Sequence, residues 1–240
     1  MSASDLILLE RLSSGVAVVK LNNPPLNLQT LPLVETLEKV IMDLSEDNSI
    51  RCIVLTGEGN RAFSAGSDVK EFPALRNVFV EGKLRRENAV FNRISDMPQP
   101  VVAALCGSAI GGGCELALCC DFRIIDEGAK IGLPEINLGS FPGSGGMVRL
   151  PKVVGPSIAM ELMSLGSMLS APEAQRLGLV DKIAPRGQAL QEAISFAIDI
   201  ANRPADIVQY IKRALRASVQ INNGATLFMM LGDQIKVWKR

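Results

Sequence analysis

Two short blocks in this sequence each end in a glutamate: Gly111-Gly112-Gly113-Cys114-Glu115 and Leu133-Pro134-Glu135. The chain has no histidine, so acid–base chemistry must fall to other groups. A glycine-rich turn that runs into an apolar helix leaves backbone N–H groups free at the helix start. One carboxylate beside such donors, with a second in reach, suits chemistry next to a carbonyl, where an anion is bound and protons are moved. Each block also has a plain structural reading. Consecutive glycines can serve close packing alone. Glu115 is either a helix-start carboxylate favoured by the helix dipole or a buried functional group. Glu135, following Pro134, can be an N-cap or a salt-bridge partner as well as a functional group.

Other chemistries find no support. Gly111, Gly113 and then Leu116 break a G-x-G-x-x-G pattern, and no P-loop is present. Pro142-Gly143-Ser144-Gly145-Gly146 fails G-x-S-x-G because proline holds the first position. Without histidine, a Ser-His-Asp or Cys-His site cannot be built within the chain. The cysteines, Cys52, Cys106, Cys114, Cys119 and Cys120, form no C-x-x-C pair and read as reduced, buried thiols. No metal site is expected. Lysine plus arginine equals aspartate plus glutamate, 25 each, so charge argues against a nucleic-acid partner, and Lys83-Leu84-Arg85-Arg86 reads as solvated surface. The opening residues have neither a basic region nor a long apolar core. No signal peptide or membrane span is expected, and a cytoplasmic location follows, with an organelle import segment ahead of this numbering left open.

The elements that position these blocks alternate. Leu6–Leu9 and Val16–Leu21, broken by Ser13-Ser14-Gly15, read as a hairpin. Asn22-Asn23-Pro24-Pro25 is a turn. Leu37, Val40, Ile41 and Leu44 recur at helical spacing, which predicts a helix over 31–46. Arg51–Thr56 is a buried strand, 74–95 a helix, Val101–Leu105 a strand, Cys114–Cys120 a buried helix and Phe122–Ile125 a strand. Beyond about residue 150 helices dominate: Pro156–Leu165, Ala171–Leu177, Gly187–Asn202 and Ala205–Val219. The pattern is α/β with a helical C-terminal part, and residues 1–185 form the core while 186–240 form the helical region.

Between the strands Arg51–Thr56 and Val101–Leu105 lies Ala62-Phe63-Ser64-Ala65-Gly66-Ser67-Asp68-Val69-Lys70-Glu71, whose small residues allow a tight turn and close backbone approach. This block, the two glutamate blocks and Phe141-Pro142-Gly143-Ser144-Gly145-Gly146 occur in an order and spacing that resembles the enoyl-CoA hydratase/isomerase, or crotonase, family. The resemblance runs from about Leu6 to Leu215. The stretch from Leu133 to Lys152 also looks like carnitinyl-CoA dehydratases.

The resemblance implies a spiral of ββα units with a helical C-terminal trimerisation region, the trimers often pairing into hexamers. It implies an oxyanion hole made by the N–H groups of Ser67 and Gly112, with the Ser67 side chain not needed for chemistry. Ala65, Gly66, Ser67, Asp68, Val69 and Lys70, with Gly112, are expected to line the acyl-CoA site. Glu115 and Glu135, 20 positions apart as in hydratases, are the expected catalytic pair. The implied reaction is reversible addition of water to a 2-trans-enoyl-CoA, with no cofactor beyond the coenzyme A of the substrate. An isomerase, which needs only the Glu135 position, a carnitinyl-CoA dehydratase, and a non-catalytic acyl-CoA-binding or assembly protein are the alternatives. The chain departs from the family near its end. Asn222-Asn223-Gly224 leads through Leu227-Phe228-Met229-Met230 to Lys236-Val237-Trp238-Lys239-Arg240, without the usual acidic-Gly segment, which bears on acyl-chain specificity and subunit contacts.

Overall fold

The computed structural model describes residues 6–71 and 79–218, apart from the side chains of 69, 79–81 and 218. The hairpin forms as read: β1 (Ile7–Arg11) pairs antiparallel with β2 (Val16–Leu21). Helix α1 (Leu31–Glu46) matches its predicted bounds, starts at an N-cap Thr30 and buries Leu33, Val34, Leu37, Ile41 and Leu44. Strands β3 (Cys52–Gly57), β5 (Val101–Leu105) and β7 (Phe122–Asp126) follow β2 in one sheet, all parallel, and β10 (Lys182–Ala184) closes its far edge.

These central strands are apolar along both faces because both are covered. Ala17, Val19, Ile53, Leu55, Val101, Ala103 and Leu105 face the main core. Val16, Val18, Cys52, Val54, Val102 and Ala104 face α7 (Ala189–Ala201), which lays Ala189, Ala193, Ala197 and Ala201 against them. Alanine at every fourth position keeps that helix close to the sheet.

A second sheet escaped the sequence reading. It contains β4 (Ala62–Ser64), β6 (Ser108–Ile110), β8 (Lys130–Gly132) and β9 (Met168–Ser170), in that order. Each is three residues long, too short to show a period. The first three are parallel neighbours, and β9 runs antiparallel to β8. The chain therefore gives one strand to the large sheet and the next to the small sheet in successive turns: β3 then β4, β5 then β6, β7 then β8. Because β4, β6 and β8 are parallel, the segments that leave them emerge side by side.

Two helices differ most from the sequence reading. The buried helix expected over Cys114–Cys120 is α3 (Gly112–Ala117), which begins inside the glycine run and ends early, with Leu118–Cys120 in a turn. The helix expected over 74–95 is a π-type turn, Phe79–Leu84, followed by α2 (Arg85–Asp96); its first residues lie outside the described ones. Helices α4 (Gly146–Val154), α5 (Pro156–Leu165), α6 (Ala171–Arg176) and α8 (Ala205–Ser218) complete the fold. No described helix is long and apolar enough to cross a membrane. The segment from Asn222 to Arg240 lies outside the described residues.

Candidate active site

Three strand ends build the site. Ser67 follows β4, Gly112 follows β6 and Glu135 follows β8. Gln29 clamps the first two together. Its backbone N–H donates to the Gly66 carbonyl at 2.9 Å, and its side-chain amide donates to the Gly112 carbonyl at 3.1 Å. The approach is close: a Cβ placed on Gly66, at φ +84°, would lie 2.8 Å from Gly112 N, and one placed on Gly112 would lie 3.4 Å from Ser67 N. Among the described residues, neither the Ser67 nor the Gly112 N–H has an acceptor.

The rest of the strip is mixed in exposure. Gly66 is buried, Ala65, Ser67 and Asp68 are half-buried, and Lys70 is exposed. Asp68 accepts the Lys70 N–H at 3.0 Å, which shapes the short 3-10 turn Val69–Glu71.

Glu115 points inward from α3 and is buried. Its Oε1 accepts the Ser144 N–H at 2.8 Å and the Gly146 N–H at 2.7 Å. The Pro142–Gly146 loop thus holds one carboxylate oxygen. Burial pushes the Glu115 pKa up, and the neighbouring Glu135 and Glu87 charges add to this, against the two N–H donors; it reaches about 7.

Glu135 opens the short turn Glu135–Leu138, which a left-handed Gly139 ends. Its Oε1 lies against Gly111, where a Cβ would sit 3.1 Å away; Gly111 has φ +57°. Glycine is required there by conformation as well as by the approach. Oε2 of Glu135 is buried and without a hydrogen-bond partner among the described residues. Burial raises its pKa too. The structure thus brings Glu115, Glu135, Ser67 and Gly112 to one place.

Four further residues belong to this place and were not singled out from the sequence for it: Gln29, Lys83, Glu87 and Ser144. Lys83 corrects the surface reading of 83–86. It is fully buried, donates to the Gln29 carbonyl at 2.9 Å and pairs with Glu71. Arg85 and Arg86 are exposed as expected, Arg86 pairing with Glu38 at 3.1 Å. The Ser67 hydroxyl is also engaged, donating to Glu87 at 2.9 Å. Polar residues of this kind carry no period that would mark them as interior. Their partners lie tens of residues away.

The cysteines are all free, and Cys106 is half-buried rather than buried. Burial pushes the thiols of Cys52 and Cys119 up to about 12, and raises those of Cys106, Cys114 and Cys120. They stay protonated at neutral pH and are poor nucleophiles. A cavity of about 970 Å³ lies elsewhere, between α2, α4, α7 and α8, and neither glutamate lines it.

The chain is similar to known proteins over most of its length. The enoyl-CoA hydratase/isomerase family model matches residues 11–232. The "Probable enoyl-CoA hydratase" of Rhizobium meliloti is 38% identical over 215 residues, 89% of this chain and 82% of the relative. The crotonyl-CoA hydratase of Syntrophomonas wolfei is 35% identical, with the same coverage of 89% and 82%. The crystal structure of an enoyl-CoA hydratase from Bacillus anthracis superposes with a TM-score of 0.94 at 34% identity, covering 98% of this chain and 92% of that one.

Proposed function

Since the chain belongs to the enoyl-CoA hydratase/isomerase family, we propose that it is an enoyl-CoA hydratase, a hydro-lyase that adds water reversibly to a 2-trans-enoyl-CoA to give a 3-hydroxyacyl-CoA. The observation that carries this reading is a buried carboxylate, Glu115, and a half-buried one, Glu135, beside two backbone donors without acceptors among the described residues.

In this reading the thioester oxygen sits between the N–H groups of Ser67 and Gly112. As water adds at the β-carbon, negative charge moves onto that oxygen, and each donor is worth about 2.7–4 kcal/mol of transition-state stabilisation. Residues Ala65 to Lys70 line the acyl-CoA. In this reading Glu115, whose Oε1 is fixed by two N–H donors, draws the proton from water. Glu135, with Oε2 lacking a hydrogen-bond partner among the described residues, delivers a proton to the α-carbon. The two carboxylates are close enough for the Glu135 charge to raise the Glu115 pKa, so the pair titrates jointly.

The electrophile is backbone N–H, so no metal or redox cofactor enters the scheme. Coenzyme A comes with the substrate. A reducing, cytoplasmic compartment suits the free thiols. The assembly is a homotrimer or hexamer, supported by an apolar surface beside the site. Within the helical region, Ile211 and Leu215 of α8 are also exposed and available to subunit contacts.

The direct test is hydration of crotonyl-CoA, then of longer enoyl-CoA thioesters, by the parent chain, Glu115→Gln and Glu135→Gln. Each substitution is expected to lower kcat by about 10²–10⁴-fold with little change in KM. A folded variant with near-parental kcat removes that glutamate from the mechanism. Activity is expected to survive dialysis against a strong chelator, and loss restored by a divalent metal would reassign the electrophile.

A further inference from the structure

Glu87 lies in α2, fully buried, and takes a hydroxyl on each carboxylate oxygen. Ser67 Oγ donates to Oε1 at 2.9 Å, and Ser144 Oγ donates to Oε2 at 2.6 Å. Both serines do a second task at the site. Ser67 carries the backbone N–H proposed for the thioester oxygen. Ser144 donates its own N–H to Glu115 at 2.8 Å. One buried carboxylate therefore links the strip after β4 to the loop before α4.

We infer that Glu87 is a positioning residue for the hydration reaction: its two oxygens hold the Ser67 N–H and the Glu115 carboxylate in register. The inference rests on the hydratase reading of the same site.

The chemistry of the link calls for a carboxylate. Both serines donate, and only a carboxylate accepts at both ends. An amide in its place could accept from one serine, but its nitrogen would meet the other as a donor. That serine would have to turn its proton away, and the register would loosen at that end. A carboxylate buried this completely is costly unless its surroundings compensate. Burial pushes the Glu87 pKa up, while the two hydroxyls and the Lys83 charge hold it down. Lys83 reaches this interior from the π-type turn and is shared with Glu71 of the strip and the Gln29 carbonyl. The charged groups around Glu87 are thus Lys83, Glu71 and Glu115. Those acting on Glu115 are Glu135, from the turn after β8, and Glu87 itself, from α2.

Two consequences separate positioning from a merely structural role. Loss of the link shifts the reacting groups and lowers kcat rather than raising KM. Loss of the Glu87 charge removes a neighbour that raises the Glu115 pKa, so the pH midpoint assigned to Glu115 moves down.

The experiment compares crotonyl-CoA hydration by the parent, Glu87→Gln, Ser144→Ala and the double variant across pH, with circular dichroism as the folding check. Glu87→Gln is expected to lose at least about tenfold in kcat, as small displacements of reacting groups do, with KM near parental and the midpoint lowered. Ser144→Ala keeps the N–H to Glu115 and cuts only the hydroxyl link; a smaller loss is expected, and the double variant should lose less than the two losses combined. A folded Glu87→Gln with parental kcat and an unmoved midpoint overturns the inference while leaving the functional reading intact. If Glu87→Gln does not fold, Ser144→Ala decides on the same terms, and parental kcat overturns it. A parent chain inactive on every enoyl-CoA tested overturns the functional reading, and this inference with it.

Discussion

The side-chain amide of Gln29 donates to the Gly112 carbonyl at 3.1 Å, joining residues 83 apart in sequence. With the Gln29 N–H on the Gly66 carbonyl, it sets two backbone N–H groups side by side. Gln29→Leu preserves volume and removes the side-chain half of the clamp. A lost hydrogen bond of this kind costs about 1 kcal/mol in stability, and the donor pair loses its fixed spacing. The expected outcome is a folded protein with kcat for crotonyl-CoA reduced about tenfold. Steady-state kinetics beside a thermal melt would measure both, and parental kcat would show that the clamp does not govern the donors.

The ionisation of Glu115 should be visible in stability as well as in rate. Burial first, then its charged neighbours, raise its pKa from 4.5 to about 7. The folded state therefore binds this proton more tightly than the unfolded state. The stabilisation this gives is complete below pH 4.5 and lost as pH rises through 7. Glu115→Gln abolishes the dependence, so the variant gains on the parent as pH rises, by on the order of 3 kcal/mol once Glu115 is ionised. Urea unfolding midpoints from pH 4 to about 8 would track this gap, and a gap independent of pH would contradict it. In the parent, kcat/KM should rise with pH through the same region, since the proposed base is the ionised form.

Ser67 carries two separable contributions. Ser67→Pro removes the N–H and should cost about 10²–10³ in kcat, the usual effect of losing one oxyanion donor. Ser67→Ala keeps that N–H but leaves Glu87 with one hydroxyl donor instead of two. Its expected effect is a stability loss of about 1.5–3 kcal/mol with a rate loss far smaller than that of the proline variant. Circular dichroism is needed to separate misfolding from lost chemistry. A folded, fully active Ser67→Pro would show that this N–H is not a donor.

Assembly should be measurable at micromolar concentration. Ile136, Leu138, Phe141, Met147, Val148, Met160 and Leu165 are exposed on the turn that carries Glu135, the loop after it, and α4 and α5, which pack together. Exposed apolar side chains on elements that pack together suit an interface between copies, and burying each large side chain is worth about 1.5–3 kcal/mol. Sedimentation should report a trimer or hexamer. Met160→Glu with Leu165→Glu should shift it toward monomer, and a stable, active monomer of the parent chain would defeat the proposal.

The sequence by itself determined the elements whose side chains follow a regular period. Helix α1 and strand β5 match their expected residues because long or fully apolar segments carry their own signal. It also marked Glu115 and Glu135, since a carboxylate after a glycine run or a proline stands out locally. Tertiary structure decided what brings these groups together. Strands β4, β6 and β8 have three residues each, too few for any period, yet their parallel pairing sets Ser67, Gly112 and Glu135 side by side. Lys83 and Glu87 look like surface residues of a charged helix, and the fold buries both. A buried polar group is held by its partners rather than by its own hydropathy. For these two, several partners lie far off in sequence: Gln29 is 54 positions from Lys83, and Ser144 is 57 from Glu87.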